Sequence, residues 1–99
     1  MTPTRPVLLV VDDEPGVLSL IDRFARRLGF DVATAGSGQE ALRKLQAARA
    51  AVALVDLRMP DVDGVEVLKR IRVEDPNCQV ILMTGHASID TAIEAIKHG

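Results

Sequence analysis

The sequence predicts an α/β fold, a parallel sheet whose strands are joined by helices, and three observations predict it. Short apolar runs alternate with helical patterns along the whole chain, as β-α-β units require. One run, Val80-Ile81-Leu82-Met83, is continuously apolar, as expected of a parallel strand covered on both faces. Two runs end in acids, Asp12-Asp13 and Asp56, and in an open parallel sheet the strand ends meet at the edge where ligands bind.

The first strand, Val7 to Val11, is wholly apolar and stops at Asp12. Val17, Leu20, Ile21, Phe24 and Leu28 then recur at helical spacing with Arg23, Arg26 and Arg27 turned outward, and Gly29 stands where a helix stops. A second strand runs from Asp31 to Ala35. Ser37-Gly38-Gln39-Glu40 reads as a capping box opening a second helix through Ala41, Leu42 and Leu45. The third strand, Val52 to Asp56, ends in its acid, and Asp63 and Glu66 stand in a capping relation before Leu68 and Ile71 of a third helix that Pro76 follows. A fourth strand covers Gln79 to Thr84. A fourth helix begins near Ser88 and carries Ile89, Ala92, Ile93 and Ile96 on one face. Lys97-His98-Gly99 then look like a helix end awaiting a strand, so the chain is expected to be cut short.

Length and composition narrow the class. Ninety-nine residues make one domain, 1–99, and 47% hydrophobic residues with a net charge of -2 describe a globular protein without the basic footprint of a nucleic-acid binder. Cys78 is the only cysteine, which excludes an intramolecular disulfide and a multi-cysteine metal site and fits a reducing cytoplasm. Val7 to Val11 is too short, and too quickly followed by acids, to be a secretion signal or a membrane span.

The chemistry lies with the acids. Asp12, Asp13 and Asp56, brought to one edge, would repel one another and lose hydration unless a positive charge sat between them. An all-oxygen site with few protein ligands and room for water suits a hard cation, Mg²⁺ first and Mn²⁺ second. Taken alone, Asp12-Asp13-Glu14 also fits acids placed at a helix N-terminus, worth roughly a few tenths to one kcal/mol each, and the two roles are compatible. Asp61-Val62-Asp63-Gly64 lacks the third acidic position of a calcium loop and is set aside.

Three segments carry a family resemblance. Val11-Asp12-Asp13-Glu14-Pro15, Asp56-Leu57-Arg58-Met59-Pro60-Asp61-Val62-Asp63-Gly64 and Met83-Thr84-Gly85-His86-Ala87 resemble the successive signature segments of the receiver domain of bacterial two-component response regulators. The stretch from Gly85 to Gly99 is similar to receivers of the nitrogen-regulation class of transcription activators. The resemblance implies a flavodoxin-like (CheY-like) sheet of strand order 2-1-3-4, with the first helix on one face and the others opposite. It implies Asp56 as phosphoryl acceptor and Thr84 as the switch residue. It implies Mg²⁺ held directly by Asp13 and Asp56, by Asp12 largely through water, and by the backbone carbonyl of Arg58. The partner would be a sensor histidine kinase or phosphotransfer protein, which supplies the donor histidine, so His86 is a loop residue.

By the same resemblance the chain lacks the family's fifth strand, with its lysine, and fifth helix, and Lys97 in the fourth helix cannot stand in for that lysine. The expected function is thus a phosphoacceptor rather than a turnover enzyme, controlling a transcription output domain absent from this chain, with the phosphoryl relay incomplete. The alternative is a phosphorylation-impaired interaction or oligomerisation module, and in either reading the chain is expected to form a homodimer or larger species through the open edge at Val80 to Met83 or a bare sheet face. A flavodoxin-like cofactor or phosphatase enzyme is disfavoured, because Asp-Asp-Glu-Pro replaces the Gly/Ser/Thr-rich turn that would cradle a phosphate.

Overall fold

The central strand is dry on both sides, and the architecture follows from it. In the computed structural model, which describes residues 5–47, 49–56 and 64–83, the strands are β1 (Val7–Val11), β2 (Asp31–Ala35), β3 (Val52–Asp56) and β4 (Gln79–Met83). The helices are α1 (Pro15–Arg27), α2 (Gly38–Ala47) and α3 (Gly64–Glu74). The strands form one parallel sheet in the order β2-β1-β3-β4, as the sequence predicts. The fourth helix expected after Ser88 lies outside the described residues. Among the described residues no helix is long and apolar enough to cross a membrane.

Period-two alternation sends β1 into two cores. Leu9 and Val11 face one side with Ala53 and Val55 of β3, and α2 and α3 cover them with Ala41, Leu45, Val67 and Ile71. Leu8 and Val10 face the other with Leu54 and Met83, where α1 contributes Ile21 and Ala25. The chain moves one way along the sheet from β1 to β2 and the other way through β3 to β4, so right-handed crossovers place α1 opposite α2 and α3.

Two details of the core differ from the sequence reading. Leu20 of α1 and Leu28, its C-cap, are 44% and 42% exposed, and the helix meets the sheet through Leu18, Ile21 and Ala25. Leu20 stands at the edge of the apolar arc, and Leu28 lies beyond the last helical turn. In β4, Met83 is buried but Leu82 is 37% exposed.

The connections use local hydrogen bonds. At the end of α1 the N–H groups of Phe30 and Gly29 donate to the carbonyls of Ala25 and Arg26 at 3.1 Å each, a Schellman turn with Gly29 at φ 97°. Ser37 caps α2 as its sequence predicts, its Oγ accepting from Glu40 N–H at 3.2 Å. Glu40 reaches one residue further back than a capping box requires and accepts from Gly36 N–H at 2.6 Å. After α3 the buried Asp75 makes the turn into β4, its Oδ1 accepting from Asn77 N–H at 3.2 Å. Cys78, 3% exposed, joins the core under α2 and α3, and burial, the largest cause, pushes its thiol pKa up.

Two glycines make opposite predictions. A Cβ at Gly29 meets nothing within 4 Å, so Gly29→Ala carries only the cost of a left-handed backbone, about 1 kcal/mol of destabilisation. Gly16, within the first turn of α1, has the same open space without a positive φ, and Gly16→Ala should stabilise by about 0.5 kcal/mol. Urea unfolding midpoints should move in opposite directions for the two variants.

Candidate metal centre

The carboxyl edge is built by ending dry strands in acids. Asp12 N–H donates to Ala35 carbonyl at 3.0 Å, which carries the β1–β2 ladder one residue past the strand. Its Oδ1 accepts from Glu14 N–H at 2.9 Å. Glu14 then serves as N-cap of α1 through its backbone, its carbonyl accepting from Val17 and Leu18 N–H at 3.1 and 3.2 Å. Pro15 follows at the first helical position, where a missing N–H costs nothing. Strand becomes helix within three residues, and the positive end of α1 lies beside the acids.

Asp56 arrives from β3, whose Val55 is paired with Val11 of β1. One carboxylate oxygen from each of Asp12, Asp13 and Asp56 lies within 4.8 Å of the others. Their exposures are graded: Asp12 is 7% exposed, Asp56 half-buried and Asp13 exposed. Burial raises the Asp12 pKa to about 6, the Glu14 N–H opposes that rise, and the charges of Asp56, Asp13 and Glu14 add to it.

The donor set fits a hard divalent cation. Three carboxylates, with neither His nor Cys among them, match the oxygen preference of Mg²⁺ and Mn²⁺, and the exposed Asp13 leaves the water access that Mg²⁺ retains. The crowding of like charge that raises Asp12 is what a bound cation would relieve. The structure thus brings together Asp12, Asp13 and Asp56, whereas Arg58, Thr84, Asp61, Asp63, His86 and Lys97 lie outside the described residues. Sequence reasoning missed the backbone N–H of Glu14 as the group that fixes Asp12. The signal was present in an Asp two residues before a helix-capping position followed by proline.

The sign of the pH dependence follows. The folded pKa of Asp12, about 6, lies above the ordinary value, so the folded protein holds a proton that the unfolded chain releases. Metal-free stability from this group is therefore lost as pH rises from about 4 to about 6, and the whole penalty is present above that window. Asp12→Asn keeps an oxygen to accept from Glu14 N–H and removes the charge. In chelator at about pH 7.5 it should melt a few degrees above wild type, and the difference should vanish near pH 4. Saturating Mg²⁺ should reverse the order, since the variant has lost an anionic ligand. Scanning calorimetry checks both arms.

Comparison with known proteins gives the site its context. Residues 8–99 match the response regulator receiver domain family. The chain is 39% identical over 92 residues to the transcriptional regulatory protein ZraR of Klebsiella oxytoca, covering 93% of this chain and 21% of ZraR. A CheY-like receiver domain protein from Methanospirillum hungatei JF-1 superposes with a TM-score of 0.81 at 27% identity, over 97% of this chain and 77% of that one. The response regulator TrrA of Thermotoga maritima, solved in complex with Mg²⁺-BeF, gives 0.76 at 33% identity over 83% of this chain and 71% of TrrA. TrrA is also solved in complex with the histidine kinase ThkA. The chain spans about a fifth of the length of the curated relatives it matches. A match that starts inside β1 and runs to Gly99 leaves little of the sequence outside it, and this chain belongs to the response regulator receiver domain family, a two-component signalling module rather than a turnover enzyme.

Proposed function

We propose that the chain is the phosphoacceptor module of a response regulator that takes a phosphoryl group on Asp56 from a sensor histidine kinase or phosphotransfer protein. The observation that carries this reading is the grouping of Asp12, Asp13 and Asp56 within 4.8 Å at the carboxyl edge. The complexes of the related TrrA with Mg²⁺-BeF and with a histidine kinase support it. ZraR is a transcriptional regulatory protein, which supports a transcription output elsewhere in the same polypeptide and, with it, a cytoplasmic setting.

In this reading Asp56 is the nucleophile. Pairing of β3 with β1 and β4 sets Val55 against Val11 and Asp56 against Met83, so the acceptor is held by the sheet rather than by a loop. An Asp56 oxygen attacks phosphorus in line, an O–P bond forms, and the bond to the donor imidazole nitrogen breaks with its electron pair left on nitrogen. Asp13 and Asp56 would hold the cation, with Asp12 acting through water and Arg58 offering its backbone carbonyl as the family resemblance implies. Bound there, Mg²⁺ or Mn²⁺ neutralises the acids and the charge of the transferring oxygens. Thr84, next in sequence to Met83, is the switch residue that senses the new phosphoryl group.

The test is phosphorylation by a small donor such as phosphoramidate with Mg²⁺, read by intact mass. A single phosphoryl adduct should form, vanish in Asp56→Asn, and form about a hundredfold more slowly in chelator or in Asp13→Asn. Calorimetric titration should show Mg²⁺ binding weakened in both variants. An adduct that persists in Asp56→Asn overturns the assignment, and a chain that takes no label under these conditions is instead an interaction module.

A further inference from the structure

The opposite edge of the sheet carries a second concavity. It is an open depression offering about 420 Å³ of space. It is bordered by Arg5, ahead of β1, and by Arg49, between α2 and β3, with an apolar floor of Pro6, Val7 and Ala51. Asp75 and Asn77, from the turn before β4, form a polar wall.

Three observations point to an anionic ligand. Both arginines are exposed, yet the ion pairs among the described residues are Arg26–Asp22 and Arg70–Glu66, so neither is used in that way. Asp75 is the one acid among the lining residues, is buried and accepts from Asn77 N–H, so two arginines against one carboxylate leave the lining net positive. The backbone on either side is fixed: Pro6 carbonyl accepts from Asp31 N–H at 2.9 Å, and Ala51 donates to Val7 carbonyl at 2.8 Å and accepts from Gln79 N–H at 3.0 Å. Two arginines bordering an apolar floor match one dianionic head attached to an apolar body.

We propose that this concavity is a second ligand site, for a phosphate monoester with a compact apolar body. Arg5 and Arg49 take the phosphate oxygens, the body covers Pro6, Val7 and Ala51, and Asn77 offers a hydrogen bond to a remaining phosphate oxygen. The acids lie a full strand length away, roughly 15 Å along β1, so this site stands apart from the Asp56 chemistry. The proposal does not depend on phosphorylation.

Heteronuclear NMR titration in an Asp56→Asn background keeps the two sites apart. Phenyl phosphate should shift the amides of Ala51 and Asn77 saturably, and bind about tenfold more tightly than inorganic phosphate or benzoate. Arg5→Gln and Arg49→Gln should each weaken phenyl phosphate about fivefold or more, with melting temperatures unchanged because both side chains are exposed. Asp13→Asn should leave it as it is. Absence of saturable shifts at Ala51 and Asn77, or shifts that survive both arginine variants, overturns the site. Benzoate binding as tightly as phenyl phosphate overturns the assignment to a dianion.

Discussion

Burial of β1 on both faces is the constraint from which the rest of this domain follows. Leu8, Leu9, Val10 and Val11 are each no more than 2% exposed, so every side chain of that run must find apolar cover above or below the sheet. That need calls α1 to one face and α2 with α3 to the other, and it requires β2 and β3 as hydrogen-bonded neighbours. It also decides where polar chemistry can stand. A charged group has no place along the run, and the first position that can carry one is where the chain leaves the sheet, at Asp12.

The acid edge is thus a boundary effect put to use. Asp12 is still inside the ladder by its N–H and already outside the core by its carboxylate, which is why it is both buried and hydrated too little for its charge. Its neighbour on β3 ends the same way, since β3 is as dry as β1 across Ala53 to Val55. Parallel pairing converts two separate strand ends into one cluster. The energy of folding the apolar runs holds together three carboxylates that would separate in water, and the Glu14 N–H with the start of α1 offsets part of their repulsion.

Much of this was legible in the residues. The limits of β1, β2 and β3 coincide with the apolar runs, because such runs bounded by acids or turn residues leave little choice of register. The Gly29 stop and the Ser37 cap were readable because each depends on chemistry a few residues wide. The orientation of α1 was not, since apolar residues at 17, 18, 20, 21, 24, 25 and 28 spread over an arc of roughly 160°, and spacing alone does not say which part of that arc meets the sheet. The sheet is met through Leu18, Ile21 and Ala25 on one side of that arc, with Leu20 at its other edge and Leu28 past the helix end. The three acids were found as a set, whereas the grading of their environments depends on burial, which no motif records. Arg5 and Arg49, 44 positions apart, share a rim for reasons of topology alone.

The position of Cys78 has a consequence of another kind. A thiol reacts as its thiolate, and here the thiol is both covered and held in its protonated form by the surroundings under α2 and α3. While β4 stays docked, oxidants and alkylating reagents meet no nucleophile there. The rate at which the only sulfur of its class in the chain becomes labelled is therefore a clock for transient opening of the α3–β4 segment, and oxidative damage at this position records a lapse of folding rather than a signal.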